Sequence, residues 1–278
     1  MTTEFWGVDF SSAPSANKPI VVARGTLVDT KTGTQTGSVL RLQRLDLLPR
    51  LADFEALLTT PGPWLGAFDF PFGLPRTFVQ AQGLGDTAQA VITALQARCA
   101  TRMSFRALVD AWGNTQPAGQ RLLHRATDGA MPGLSSTSPL QTRYVPVGFM
   151  YYEGFSRLLA AAVHLPALHE GDTARTALEG YPGLLAFELI GRRSYKNDDS
   201  TERLLARKDI VEALEQGRTR LKLRLKLTPA QAGTLVADTS GDRLDAVLCL
   251  AQAAWARTQP RWGQPADVDP LEGWITSA

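Results

Sequence analysis

Three apolar segments of this chain each run into a carboxylate, and that placement limits the fold more than any other feature. Phe5-Trp6-Gly7-Val8 leads to Asp9, the run from Trp64 to Phe70 carries Asp69 near its end, and Ala174 to Leu178 leads to Glu179. Short stretches of aromatic, aliphatic and β-branched residues read as strands. Ser11-Ser12-Ala13-Pro14 and Pro71-Phe72-Gly73-Leu74-Pro75, which follow the first two, are turn-forming stretches in which pairing stops. An isolated charge on a mostly buried strand costs several kcal/mol unless it is paired or bound to a cation. Asp9 alone would be explained by capping of the turn at Ser11 and Ser12. Three acids at strand ends imply more, because parallel strands converge at their carboxyl ends on one sheet edge, where sites in open α/β folds lie.

The order of elements supports such a sheet. Ile20 to Leu27 and Val39 to Leu45 are strand-like, and Leu51, Phe54, Leu57 and Leu58 recur at helical spacing. The pattern predicts three strands, a helix over Leu51 to Leu58, and a fourth strand. A mostly helical stretch over 77–170 follows, with long loops at Asn114–Gly119 and Met131–Pro146. Beyond the fifth strand come predicted helices at Gly183–Ile190 and Glu202–Glu215, an N-cap with proline at Thr228-Pro229, and an alanine-rich helix over Asp242–Trp255. With 278 residues the chain is near the upper size for one core, so residues 1–278 are expected to form one elaborated domain with an insertion at roughly 77–170. A formal net charge of +2 argues for no partner by itself. Cys99 and Cys249 form no C-x-x-C pair and read as buried, reduced thiols. The first residues have no signal-peptide pattern, and no apolar run approaches the ~20 residues that span a bilayer, so the expectation is a cytoplasmic protein without a membrane partner.

Gly241-Asp242-Arg243-Leu244-Asp245 adds two acids at i and i+3, on one helix face. The helix dipole favours an anion in the first turn by ~0.3–1 kcal/mol, which explains one aspartate better than two. Asp9, Asp69, Asp242 and Asp245 are therefore the candidate metal ligands, and with Glu179 they make up the candidate catalytic set. Two hard cations about 4 Å apart need several oxygen ligands and open positions for phosphate and water. His124, His164 and His169 fall in no ligand-spaced cluster, so Mg²⁺ or Mn²⁺ is expected rather than zinc.

Local charge suggests where a polyanion could lie. Residues 192–226 carry eleven bases against six acids, and Arg220-Leu221-Lys222-Leu223-Arg224-Leu225-Lys226-Leu227 alternates with period two. As a strand it would place four bases on one side, a candidate phosphate track; basic residues on an edge strand also protect against aggregation. Arg192, Arg193 and Lys196 are the candidate substrate-binding residues.

Taken in order, Gly7-Val8-Asp9, Phe68-Asp69-Phe70-Pro71-Phe72-Gly73-Leu74-Pro75, Glu179-Gly180-Tyr181-Pro182, Gly241-Asp242-Arg243-Leu244-Asp245-Ala246 and Glu272-Gly273-Trp274-Ile275 resemble the motifs of domain-of-unknown-function family 429. That family is described as predicted nucleases of the RNase H-like superfamily, and the resemblance spans nearly the whole chain. It implies an α/β fold with a mixed five-stranded sheet: three antiparallel strands, a helix, a parallel fourth strand, then a fifth, with helices on both faces. It also implies that Asp9 is the acid of the first strand, Asp69 that of the fourth, and Asp242 and Asp245 those of the last helix, as in Holliday-junction resolvases. Glu179 matches the acid before the family's Tyr-Pro, one strand later than the usual catalytic set. The activity implied is metal-dependent hydrolysis of nucleic acid, DNA or RNA being open, as is the oligomeric state, a homodimer included. Two other functions compete. An ATP-dependent phosphotransferase of the sugar kinase and actin group shares the fold, but needs two copies of it where this chain has no repeat. A non-catalytic binding protein on the same fold would leave five clustered acids idle.

Overall fold

Along β1 (Glu4–Asp9) both sets of alternating side chains are buried, Trp6 and Val8 on one face and Phe5 on the other, which places this strand in the middle of a sheet covered on both sides. The computed structural model describes residues 3–32 and 35–278, with the backbone alone for 30–32 and 35–37. β1 pairs antiparallel with β2 (Ile20–Thr32), and β2 antiparallel with β3 (Gln35–Leu48). Helix α1 (Leu51–Leu58) returns the chain to β4 (Trp64–Phe68), which lies parallel to β1 on its other side. This order of three antiparallel strands, a helix and a parallel fourth strand is the predicted one. β2 and β3 run longer than expected because their outer halves carry no apolar alternation to announce them.

Between β4 and the next long strand come α2 (Arg76–Ala81), α3 (Ala88–Arg98), α4 (Arg102–Gly113), α5 (Val147–Met150), a π-helical turn and α6 (Ser156–Ala160). The stretch expected to be mostly helical is helix over just under half its length, with irregular chain from 114 to 146 broken only by a short 3₁₀ turn. β5 (Val163–His164) is a two-residue edge strand, and β6 (Asp172–Glu179) pairs parallel with both it and β4. After α7 (Pro182–Ile190) and α8 (Thr201–Gln216), β7 (Arg224–Lys226) adds parallel to β3; α9 (Pro229–Ala237) and α10 (Asp242–Ala256) complete the set. The sheet order is β5-β6-β4-β1-β2-β3-β7, seven strands where five were expected; both extra strands are short edges, β5 with too few residues to show a period and β7 within the alternating stretch 220–227. Thr228 caps α9, its hydroxyl accepting from the Gln231 N–H while the Gln231 side chain accepts from the Thr228 N–H.

One face of the sheet packs Trp6, Val8, Ile20, Val22 and Phe68 against α1 and the helices of the 77–170 stretch. The other packs Phe5, Val21, Leu65 and Leu178 against α7, α8 and α10. α10 is buried on nearly every side, which explains its alanines: small side chains let it press on the sheet. It approaches closest at Gly7, where an added Cβ would lie 2.0 Å from both the Ala246 carbonyl oxygen and the Leu250 nitrogen. That glycine brings the first turn of α10 beside the end of β1. Cys99 and Cys249 are both buried and free. Among the described residues no helix is long and apolar enough to cross a membrane.

Candidate metal and phosphate site

The parallel strands β1, β4 and β6 end on the same sheet edge, and the register sets their acids side by side: Val8 is level with Phe68, and Phe68 with Glu179. Asp9 ends β1, Asp69 follows β4 with its N–H donating to the Val8 carbonyl at 2.8 Å, and α10 presents Asp242 and Asp245 from its first turn. Gly241 enters that helix with φ +80°, and a Cβ there would press on Lys196, so a left-handed residue without a side chain is required. Asp9, Asp69, Glu179 and Asp242 border a cavity of about 620 Å³ lined on other sides by Ser11, Ser12, Tyr144, Val147 and Tyr181, with Asp245 behind them.

Asp9, Asp69 and Asp245 each offer a carboxylate oxygen within 4.8 Å of the others. The side chains of Asp9 and Asp69 accept no hydrogen bond among the described residues. Burial at the cavity floor pushes Asp9 well above the usual carboxylate range, and the charges of Asp245, Asp69 and Asp242 push it further. Burial and the neighbouring acids raise Asp69 to about 7. Asp245, fully buried, is better provided: the Tyr195 hydroxyl donates to Oδ1 at 2.6 Å and Lys196 Nζ to Oδ2. Burial still raises its pKa against the pull of Lys196. Lys196 meets the converse: burial disfavours its charge, but Asp245, Asp69 and Asp9 outweigh it and keep the ammonium protonated. Lys18 donates to both oxygens of Asp242 at 3.0 and 3.1 Å, from a side chain that is 61% exposed.

Glu179 faces the same cavity in a different state. Arg125 holds it with two parallel bonds of 2.6 and 2.8 Å, and the Phe72 N–H adds a third at 2.9 Å. The same guanidinium binds Asp128 at 2.8 Å and the Glu272 carbonyl at 2.9 Å. All three charged side chains are at most 3% exposed. Burial works against the Arg125 charge, and Glu179 with Asp128 overcomes it. Glu179 is therefore a clamp on the loop after Asp69 rather than a free ligand.

Of the expected substrate residues, Lys196 reaches the acids. Arg193 pairs instead with Asp209 at 2.8 Å, and Arg192 points to the Gly133 carbonyl; neither lines the cavity. The basic alternation at 220–227 is also displaced. Only Arg224–Lys226 is strand, Lys222 turns with φ +51°, and β7 lies three strands from β1. Asp9 is level with Leu47 through Val21, whereas Lys226 is level with Arg41. Six residues of strand put the bases ~20 Å toward the opposite sheet end. They form no track beside the acids.

Sequence reading missed Arg125, Asp128, Lys18 and Gln252. Gln252 is fully buried in α10, accepts from the Tyr181 N–H and donates to the carbonyls of Tyr181 and Thr276, tying the Glu179 turn and the chain end to the helix. An amide in the middle of an alanine-rich apolar run was its available signal. Glu272 accepts from the N–H groups of Arg76, at the start of the helical stretch, and Ala126, in its middle, and so ties both to the chain end beside the site. Comparison with protein-family models, with curated proteins and with solved structures found no match.

Proposed function

We propose that this chain is a nuclease that hydrolyses phosphodiester bonds of nucleic acid with Mg²⁺ or Mn²⁺. The observation that carries the reading is the pair Asp9 and Asp69, two recessed carboxylates without a donor, converging with Asp245 within 4.8 Å. Such a group is costly unless a cation neutralises it, and an all-oxygen set suits a hard divalent ion. Asp9, Asp69 and Asp245 would hold the metal, with Asp242 at its border. A bound divalent ion supplies charge for the phosphate oxygens and lowers the pKa of an attacking water.

The chain's own groups have separate tasks. Lys196, kept charged by three acids, orients Asp245 and places a positive charge at the reacting phosphate. Tyr195 fixes the other Asp245 oxygen. Arg125, through Glu179 and the Phe72 N–H, fixes the loop that starts at Asp69. The acids at the ends of β1 and β4 and at the start of α10, on a sheet with three antiparallel strands followed by a parallel one, are the arrangement expected of an RNase H-like nuclease, and they support that assignment. Asp9→Ala should abolish Mn²⁺-dependent cleavage of DNA and RNA oligonucleotides while circular dichroism stays native. Cleavage at the wild-type rate by that variant would exclude the assignment.

A further inference from the structure

The nuclease reading leaves open which form of nucleic acid reaches the acids, and the shape of the cavity bears on that. Its volume, about 620 Å³, is that of a pocket for one small-molecule-sized group. Asp9 and Asp69 line it, Asp242 beside them is 8% exposed and Asp245 behind them is fully buried, so a phosphate must enter the cavity to approach the group. One nucleotide of an unpaired strand fits these dimensions.

The wall supplied by the helical stretch carries a second observation. Tyr144 lines the cavity and is 92% exposed, and Val145 beside it is 57% exposed. Their backbone is nevertheless held. Arg143 binds Asp110 at 2.7 Å, its N–H donates to the Gln141 side chain, and the Gly148 N–H donates to the Gln141 carbonyl at 2.9 Å. The Val147 N–H donates to the Val145 carbonyl at 2.8 Å. A fixed loop thus offers a bare aromatic ring to the mouth of a site whose floor is acidic. Base–aromatic stacking is the sequence-tolerant way to hold an unpaired base.

Resting on the nuclease reading, we propose that the cavity admits a single unpaired nucleotide, from a strand end or an extruded position, with its phosphate toward Asp9 and Asp69 and its base stacked on Tyr144. Duplex without such a nucleotide is not a substrate. The test is fluorescence anisotropy in Ca²⁺, to support binding without turnover. It uses labelled single-stranded DNA and RNA of one sequence and the matching blunt duplex. Wild type should bind single strands at least about tenfold tighter than duplex, and Tyr144→Ala should lose about 5- to 150-fold on single strands. Tyr144→Phe and Tyr144→Trp should retain the preference. Tyr144 is so exposed that its loss leaves the fold intact.

Equal affinity for duplex and single strands, or a Tyr144→Ala variant that binds like wild type, overturns the inference. Mn²⁺-dependent hydrolysis of bis(p-nitrophenyl) phosphate, a substrate without a base, separates that failure from the failure of the nuclease reading. If hydrolysis depends on Asp9 and single strands are not preferred, the inference alone falls. If hydrolysis is absent and no oligonucleotide binds, both fall.

Discussion

Two clusters of buried charge meet at one end of the sheet and are resolved in opposite ways. Around Arg125 every donor of the guanidinium has an acceptor, and Glu179 and Asp128 are satisfied in return. Around Asp9 and Asp69 the carboxylates have neighbours of their own sign, with Lys196 engaged by Asp245. Asp9 and Asp69 are less deeply buried than Arg125, Asp128 and Glu179, yet they lack the counter-charges that complete the first cluster. The contrast separates acids paired within the fold from acids left without a counter-charge of their own, a distinction that strand-end position alone does not make. Glu179 and Asp69 occupy neighbouring strand ends and belong to different clusters.

Breaking the complete cluster should have the largest effect. Arg125→Met strands two buried carboxylates and is expected to cost about 3–5 kcal/mol in urea denaturation. Gly7→Ala forces the backbone of α10 away from β1 and should cost about 3 kcal/mol, with weakened metal binding because Asp245 moves with the helix. In the incomplete cluster the sign reverses. Asp69→Asn should stabilise the metal-free protein at pH 7.5 by about 1–2 kcal/mol, since it removes a repelled charge from a site that water partly reaches.

This gain depends on pH. The folded-state pKa of Asp69, about 7, lies above its unfolded value, so its contribution to stability is full below about pH 4 and is lost as pH rises through 7. The difference in denaturation midpoint between Asp69→Asn and wild type should therefore grow from pH 5 to pH 7.5. Comparison at each pH cancels the opposing trend of His164, whose pKa burial lowers. A difference that stays flat would place Asp69 in the satisfied class. Lys18→Ala should do least, under about 0.5 kcal/mol, because an exposed ammonium contributes little to the Asp242 pair.

Much of the framework was legible from sequence for a physical reason: β1, β4, β6 and α10 are apolar, so an acid within each stands out. The first four strands, α1 and the capping of α9 could be read from apolar periodicity and turn residues, whereas the 77–170 stretch holds more irregular chain than its apolar spacing implied. Arg125 could not, since it sits in an irregular loop and its partner Glu179 is 54 residues away. Nothing local marks a buried guanidinium. The leucine–base alternation at 220–227 misled because a period of two reports which side residues face, not which sheet end they occupy. Lys18 was hidden in a loop whose closeness to Asp242 exists only after folding.

The most direct test of the unsatisfied cluster is calorimetric titration of metal-free protein with Mn²⁺ at pH 7, beside Asp69→Asn and Glu179→Gln. Wild type should bind and release protons, because Asp69, raised to about 7, is partly protonated before the ion arrives. Asp69→Asn should lose at least about tenfold in affinity and most of the proton release, and Glu179→Gln should bind like wild type if it folds. An absence of Mn²⁺ binding by wild type, or equal binding by Asp69→Asn, would contradict the account.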